Sequence, residues 1–454
     1  MFGIVSIALF MSSTDATIVA TGLPTLRHAL HAQINWAAWT ITAYQLGLVV
    51  SMPVAGRIAD QFGRKRVFLV AAVLFTSASL ACGLSDNIYL LIGLRVVQAA
   101  GGATFLPAAS GMVVDAFGKD RTRALGMFSS IFPLGALAGP VLGGILIAAW
   151  SWRGIFLVNV PVGIVFTLLA AKFLPSSPSK GGRPDIVGAL MLGGTILGLM
   201  FGISSLGDRS HTLVSPGFLL PILGGIACGW LFSRRMRTSD HPLIPLKLLR
   251  GRAFAAVNSI NLVWGACAIG FGSLVPLFAE EHYGLAPLQA GTLLTARALG
   301  EIGLAALASF LLHRTGFRVP IAFGSLLIAG GLALIAVPPP VFGPYTWLAL
   351  SAALTGIGTG MSAPAANNAS IDLSPNDIGA ITGLRGSARQ GGAIIGVALT
   401  TSIVARSAEQ AVTLGHAFFV LAGLLAAVVP LVLLVPDGKR ISRLPRPRAE
   451  VAPT

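Results

Sequence analysis

Fourteen apolar stretches, most of about the 17 to 25 residues that a helix needs to cross a bilayer, follow one another along this 454-residue chain with only short polar or Pro- and Gly-bearing breaks between them. They run Gly3 to Gly22, Trp39 to Ala55, Val67 to Leu84, Ile88 to Ala109, Ala124 to Ala149 and Ile155 to Leu174. Then follow Ile186 to Leu206, Gly217 to Ser233, Ala253 to Phe278, Ala290 to Leu312, Val319 to Val337, Trp347 to Pro364, Ile378 to Ala405 and Ala417 to Val435. Few folds accept such a pattern. A backbone in lipid must satisfy its own hydrogen bonds, which leaves helices or a closed barrel, and a barrel needs short alternating segments that are absent. With 54% hydrophobic and 10% charged residues and a mean hydropathy of +0.82, the chain is no ordinary soluble domain. The expected fold class is all-α and polytopic, with about fourteen transmembrane helices.

The formal charge of +15 could suggest a polyanion, but the placement of Lys and Arg argues otherwise. Taking the N-terminus as cytoplasmic, the inward segments hold Arg57 to Arg66, Lys119 to Arg123, Lys172 to Arg183, Arg234 to Arg252, Arg314 with Arg318, Arg385 with Arg389, and Lys439 to Arg448. The outward ones hold Arg27, Arg153, Arg209 and Arg406. The positive-inside rule accounts for that bias. The expectation is a multi-pass protein of the plasma or inner membrane, both termini cytoplasmic, with membrane lipid but no nucleic acid as partner. Trp36, Trp39, Trp150, Trp152 and Trp347 fall at outward ends, where amphipathic rings favour the headgroups. Cys82, Cys228 and Cys267 are spaced for neither zinc nor redox chemistry. The first span lacks a basic n-region and reads as a retained helix rather than a cleaved leader.

The polar strip Gly56 to Arg66, GRIADQFGRKR, is too short to be anything but a tight connection. Gly56 and Gly63 allow close backbone approach, Asp60 can cap a helix start, and Arg57, Arg64, Lys65 and Arg66 are fixed positive charges. The pattern G-x-x-x-D-x-x-G-R-K/R between helices two and three resembles the signature of the major facilitator superfamily. By that resemblance the strip gates the inward side, with Gly56, Asp60, Gly63, Arg64 and Arg66 as the gating set and Asp60 and Arg64 latching it through a helix N-terminus.

The chain also repeats itself, as transporters built from related halves do. Pro107 matches Pro364, Gly126 matches Gly383, Gly135 matches Gly392 and Gly139 matches Gly396, all at one interval. A worn second copy of the strip stands at His313 to Arg318, with His313 in the place of Asp60. The division that follows is a six-helix bundle over residues 1–174, a linker with two inserted helices over 175–252, a second six-helix bundle over 253–435 and a basic tail over 436–454. Fourteen helices resemble the drug:proton antiporter branch of the superfamily.

Further segments resemble that branch. Thr14 to Pro24 is similar to its helix-one pattern D-x-T-I-V-x-x-x-L-P and places Asp15 inside an apolar span, where burial favours the neutral form and suits a proton carrier; the other reading is an Asp simply hydrogen-bonded to a neighbouring helix. Arg95 to Ala103 resembles R-x-x-Q-G-x-G-A-A, with Ala99 in place of the first glycine; Arg95 must find an internal partner, and Gln98 is one turn away. Arg95 reads as a proton relay or as an anchor. Gly135 to Gly144 resembles the antiporter motif: Pro140 kinks the helix, and Gly135, Gly139 and Gly143, with Gly144 beside them, make a bare stripe on which another helix slides or simply packs. Trp152 to Gly163 and Gly383 to Gly396 are also similar to the branch, the first as a structural segment. In the second, Arg389 and Gln390 sit near the inner mouth and read as helix anchors or as substrate contacts, anchoring being the favoured reading.

Arg297 and Glu301 depart from the family pattern. One turn apart, they can pair inside the membrane, pointing into the cavity or lying inert between bundles. Tyr44, Gln45, Gln98, Asn261, Trp264 and Arg297 are the candidate substrate contacts. Asp15, Arg95 and Glu301 are the proton-coupling candidates. The resemblance implies a monomeric, proton-coupled exporter of drugs or other small amphipathic molecules, driven by the proton gradient with no cofactor, no metal and no catalytic residues. Lipid, siderophore or metabolite transport uses the same fold. A membrane enzyme would need a nucleophile or metal cluster, and neither H-E-x-x-H nor H-x-x-x-x-D occurs.

Overall fold

The computed structural model describes residues 1–32, 34–176, 185–206, 212–238, 251–339, 342–373, 377–407 and 409–435. Of the expected linkers Pro175 to Pro184 and Arg234 to Arg252, residues 177–184 and 239–250 lie outside the described residues, as does the tail at 436–454. Among those described, every regular element is helical: α1 (Phe2–Ala29), α2 (Ile34–Phe62), α3 (Arg64–Leu84), α4 (Ile88–Phe117), α5 (Arg121–Ser129), α6 (Ile131–Ala149), α7 (Gly154–Leu157) and α8 (Asn159–Phe173). Next come α9 (Ile186–Ser205), α10 (Pro216–Thr238), α11 (Arg252–Trp264), a π turn (Gly265–Ile269), α12 (Gly270–Tyr283), α13 (Pro287–Thr315), α14 (Arg318–Ala336), α15 (Pro344–Leu373), α16 (Ile378–Arg406), α17 (Gln410–Val428) and a closing 3-10 turn (Val429–Leu434). Taken with their continuations (α5 with α6, α7 with α8, α11 with α12, α17 with its last turn), they make fourteen rods.

Among the described residues, seven helices are long and apolar enough to span a membrane unaided, or eight if the pair that bends by 41° between Gly139 and Val141 is one span. The helices that miss this test include α2, α13, α15 and α16, which carry Asp60, Arg297 with Glu301, Asn367 with Asn368, and Arg385 with Arg389. Polar residues lower their hydropathy because these helices face protein rather than lipid. Arg385 and Arg389 correct the charge reading above: they sit inside α16, not in an inward loop.

Burial is inverted relative to a soluble protein. Leu84, Leu190, Leu220, Val420 and Leu433 stand exposed, while Asp15, Arg95, Gln98 and Glu301 are buried. An exposed aliphatic girdle around a polar interior suits a lipid solvent.

The two sets of helices repeat one pairing scheme. In the first, α1 packs on α6, α2 on α4, and α3 on α4 and α8; in the second, α11 packs on α16, α13 on α15, and α14 on α15 and α17. Matched glycines make matched contacts. A Cβ on Gly135 would reach the Phe10 carbonyl at 2.6 Å, on Gly139 the Thr14 carbonyl at 3.0 Å and on Gly143 the Ile18 side chain at 3.0 Å, all on α1. On α16, Gly392 abuts the backbone of Leu262, and a Cβ on Gly396 would meet Ala266 at 2.8 Å. Lipid tails provide no hydrophobic drive between helices, so close approach and interhelical hydrogen bonds carry this packing. Thr14 and Thr17 hydroxyls donate across it to the carbonyls of Gly135 at 3.1 Å and Ala136 at 3.2 Å. Gly144 has open space at its Cβ position and stands off the stripe, contrary to its grouping in the motif. Within the first set Phe68, Phe75, Phe105 and Phe166 form a ring cluster, with Phe68 and Phe105 centroids 5.3 Å apart.

The inserted pair lies against the junction of the two sets. Asp185 accepts from the Gly188 amide at 2.9 Å and from Arg235 Nε at 2.7 Å, fixing the start of α9 to the end of α10. Phe232 and Met236 of α10 are buried with Val54 of α2 and Leu384 of α16.

Candidate functional site

The first constellation is enclosed by five rods. Asp15 (α1) and Arg95 (α4) are both shut off from solvent, and Arg95 Nη1 donates to Asp15 Oδ2 at 2.5 Å and to Gln98 Oε1 at 2.7 Å. The other carboxylate oxygen accepts from Gln98 Nε2 at 3.0 Å and Asn159 Nδ2 at 2.8 Å, and Gln98 Nε2 also donates to Ser79 Oγ at 2.6 Å. Arg95 Nε reaches the Thr40 carbonyl at 3.1 Å, and its guanidinium lies 3.9 Å above the Tyr44 ring. Tyr44 OH donates to the Ser12 carbonyl at 3.3 Å.

Asp15 is thus hydrogen-bonded to neighbouring helices, as one of its two sequence readings had it, and it is also one half of an ion pair with Arg95. Tyr44 and Gln98, candidate cargo contacts from sequence, belong to this enclosed network. Asn159 was missed: it lies in a segment read as purely structural. Its placement at the first turn of α8, just after the break at Val158, aims its amide at α1.

The second constellation is a seam between the two sets, along α2 and α16. At the end carrying the Gly56 to Arg66 strip, Asp60 Oδ2 accepts from the Ala380 amide at 3.1 Å in the first turn of α16, where the helix dipole favours an anion. Asp60 Oδ1 accepts from Arg64 Nε and Nη2, both at 3.3 Å, and Arg64 Nη1 donates to the Gly111 carbonyl at 3.0 Å and to Asp115. Gly63 takes φ 93°, which lets α2 end and α3 begin in one residue. The backbones of Gly56 and Gly379 touch. Arg57 pairs with Asp377 at 3.0 Å and Arg121 with Asp372 at 2.7 Å, both between the two sets. Arg66 is exposed and stands outside these contacts. Deeper along the seam Ser387 Oγ donates to the Val49 carbonyl at 2.6 Å and Gln390 Nε2 to Gln45 Oε1 at 3.3 Å.

Beyond the zipped end lies a cavity of about 30 Å³, lined by Ser129 and Pro133 from one set and by Glu301, Pro364, Arg385 and Arg389 from the other. Glu301 Oε2 accepts from Arg297 Nη2 at 3.3 Å, and its Oε1 lies 4.0 Å from Arg389 Nη2. Arg389, for which the sequence left substrate contact beside anchoring, faces this space; Arg385 was not singled out as a candidate. Trp264 and Asn261 are placed elsewhere: Trp264 Nε1 donates to Ser325 Oγ at 2.9 Å inside the second core, and Asn261 Nδ2 to its own helix at the Val257 carbonyl at 2.8 Å.

The Arg297 and Glu301 contact predicts unequal losses. Glu301→Leu strips the carboxylate from both guanidiniums and is expected to lower stability by about 3 kcal/mol or more, whereas after Arg297→Met the acid keeps Arg389, so the loss is smaller. Thermal unfolding of both single variants and the double variant in detergent checks this. Strictly additive losses would show that the two side chains do not interact.

Two pseudo-repeated helix sets, meeting along a seam with a polar cavity, are the architecture of a membrane transporter built from related halves. The chain belongs to the Major Facilitator Superfamily, whose family profile matches residues 5–272 and again 253–453. Among its relatives, the multidrug resistance protein B homolog of Mycobacterium tuberculosis (strain ATCC 25618 / H37Rv) is 32% identical over 407 residues, covering 88% of this chain and 75% of the relative. The methylenomycin A resistance protein of Bacillus subtilis (strain 168) is 26% identical, covering 97% and 95%. The fold is also that of the solved proton:xylose symporter XylE, with a TM-score of 0.70 at 13% identity over 96% of this chain and 95% of that one.

Proposed function

We propose that the protein exports small amphipathic molecules in exchange for protons, by alternating access. The observation that carries this reading is that Arg95 joins the Asp15 carboxylate to α2, through Thr40 and the Tyr44 ring. The same helix closes the seam through Gln45, Val49 and Asp60. A proton on Asp15 cancels the charge that holds Arg95, which then loses its hold on α2, so protonation and seam opening are linked. Cargo enters from the strip end, taken as cytoplasmic, and proton release from Asp15 resets the pair. Glu301, at the cavity itself, is the second titrating candidate. The multidrug and antibiotic resistance names of the relatives support cargo of this kind.

The test is transport by purified protein in liposomes under an imposed pH gradient, with a panel of lipophilic cations, neutral antibiotics and organic anions. Asp15→Asn is expected to abolish uphill export and cargo-induced proton release in weak buffer while downhill exchange continues. Equal proton release from native and variant protein would move the proton site to Glu301. No gradient-driven movement of any panel member would defeat the reading.

A further inference from the structure

The cavity at the seam carries an unequal charge. One carboxylate, Glu301, faces it, against the guanidiniums of Arg385 and Arg389, with Arg297 already on that carboxylate's other oxygen. Arg385 is 7% exposed, and its Nε is buried without a hydrogen-bond partner among the described residues. Arg385 and Arg389 are one helical turn apart, so two like charges share a face of α16. Ser129 and Pro133, across the seam, bring no charge.

A buried guanidinium carries five donors and no acceptor and does not deprotonate, so an idle Nε beside a second arginine leaves acceptors missing. The planar fork matches a carboxylate, sulfonate or phosphate in bidentate fashion. About 30 Å³ holds a couple of waters or the head of one such oxyanion.

We propose that Arg385 and Arg389 form an oxyanion-recognition site, and that the cargo is an amphiphile with an acidic head rather than a lipophilic cation. The head docks on Arg385 and the free edge of Arg389, while Glu301 keeps Arg297 neutralised; the apolar body extends along the seam as it opens. This inference rests on the reading of the seam as the cargo space, but binding and transport test the two separately.

The experiment compares two xanthene dyes of similar shape and opposite charge, carboxyfluorescein and rhodamine 6G. Fluorescence anisotropy follows their binding to the purified full chain in phosphatidylcholine nanodiscs. Carboxyfluorescein is expected to bind the native protein, and Arg385→Gln to weaken it by about tenfold or more, with partial recovery in Arg385→Lys and no weakening of rhodamine 6G. Should Arg385→Gln fail to give folded protein, Arg389→Gln takes its place with the same expectation. The proposal is overturned if native protein does not bind carboxyfluorescein, or if the substitution alters both dyes alike. Discs enriched in phosphatidylglycerol separate the sources of the oxyanion: unchanged dye affinity supports a free amphiphile, and its loss assigns the site to lipid headgroups and overturns the cargo assignment. Gradient-driven transport, measured separately, bears on the export reading whatever the dyes do.

Discussion

Arg95→Met is expected to be among the most damaging single substitutions in the chain, lowering stability by about 3 to 5 kcal/mol, because it leaves the enclosed Asp15 carboxylate without its counter-charge. Removing Arg95 also frees Gln98 Oε1 and the Thr40 carbonyl of their donor. Arg95→Lys should rescue little: an ammonium cannot reach Asp15, Gln98 and Thr40 with a planar fork while lying flat on Tyr44. The double variant Asp15→Asn with Arg95→Gln should recover much of the loss, since two neutral amides can bond to one another and to Gln98 and Asn159. It should still fail to drive uphill export. Thermal unfolding in detergent, read beside transport in liposomes, checks both halves. Full stability in the Arg95→Met variant would mean that the pair contributes nothing to the fold.

Gly56→Leu is expected to reduce transport to background while leaving the protein folded. Its Cβ would fall on the Gly379 carbonyl, and a Cβ on Gly379 would in turn meet the Asp60 carboxylate at 3.0 Å, so neither backbone has room to retreat. The strip end then cannot close. The measurement is cross-linking by a short bis-maleimide of cysteines placed at Arg57 and Asp377, whose native side chains reach across the seam to pair at 3.0 Å, in a background with Cys228 replaced. The cross-link should form readily when Gly56 is retained and not with Gly56→Leu. Equal cross-linking in both would show that the seam closes without this contact.

Much of the architecture was legible because lipid imposes a simple rule: long apolar runs and short polar breaks. Glycine spacing carried further information, since Gly135, Gly139 and Gly143, four residues apart, lie on one face of a helix and leave it bare for another helix to approach. Sequence could not say that the neighbour is α1, because a helical period fixes a face and not its partner. For the same reason Asp60 was readable as a helix-capping acid, but the helix it meets begins at Ile378. Asp15 shows a different limit. Sequence allowed a hydrogen bond to some neighbouring helix but could not name the partners, which are Arg95, Gln98 and Asn159, drawn from rods far along the chain. Arg385 was lost by the rule that assigns arginines to loops, which holds until an arginine has work inside the membrane.

The seam has two flanks, and they are not alike. Along α2 and α16 the α9 and α10 pair stands as a cover, with Phe232 and Met236 seated between Val54 and Leu384. On the opposite flank α5 and α6 meet α13, and no such cover stands there among the described residues. Seen from the bilayer, the two described flanks are thus walls of unequal thickness: on one side the seam lies under a second layer of helix, and on the other α5, α6 and α13 are its whole described wall.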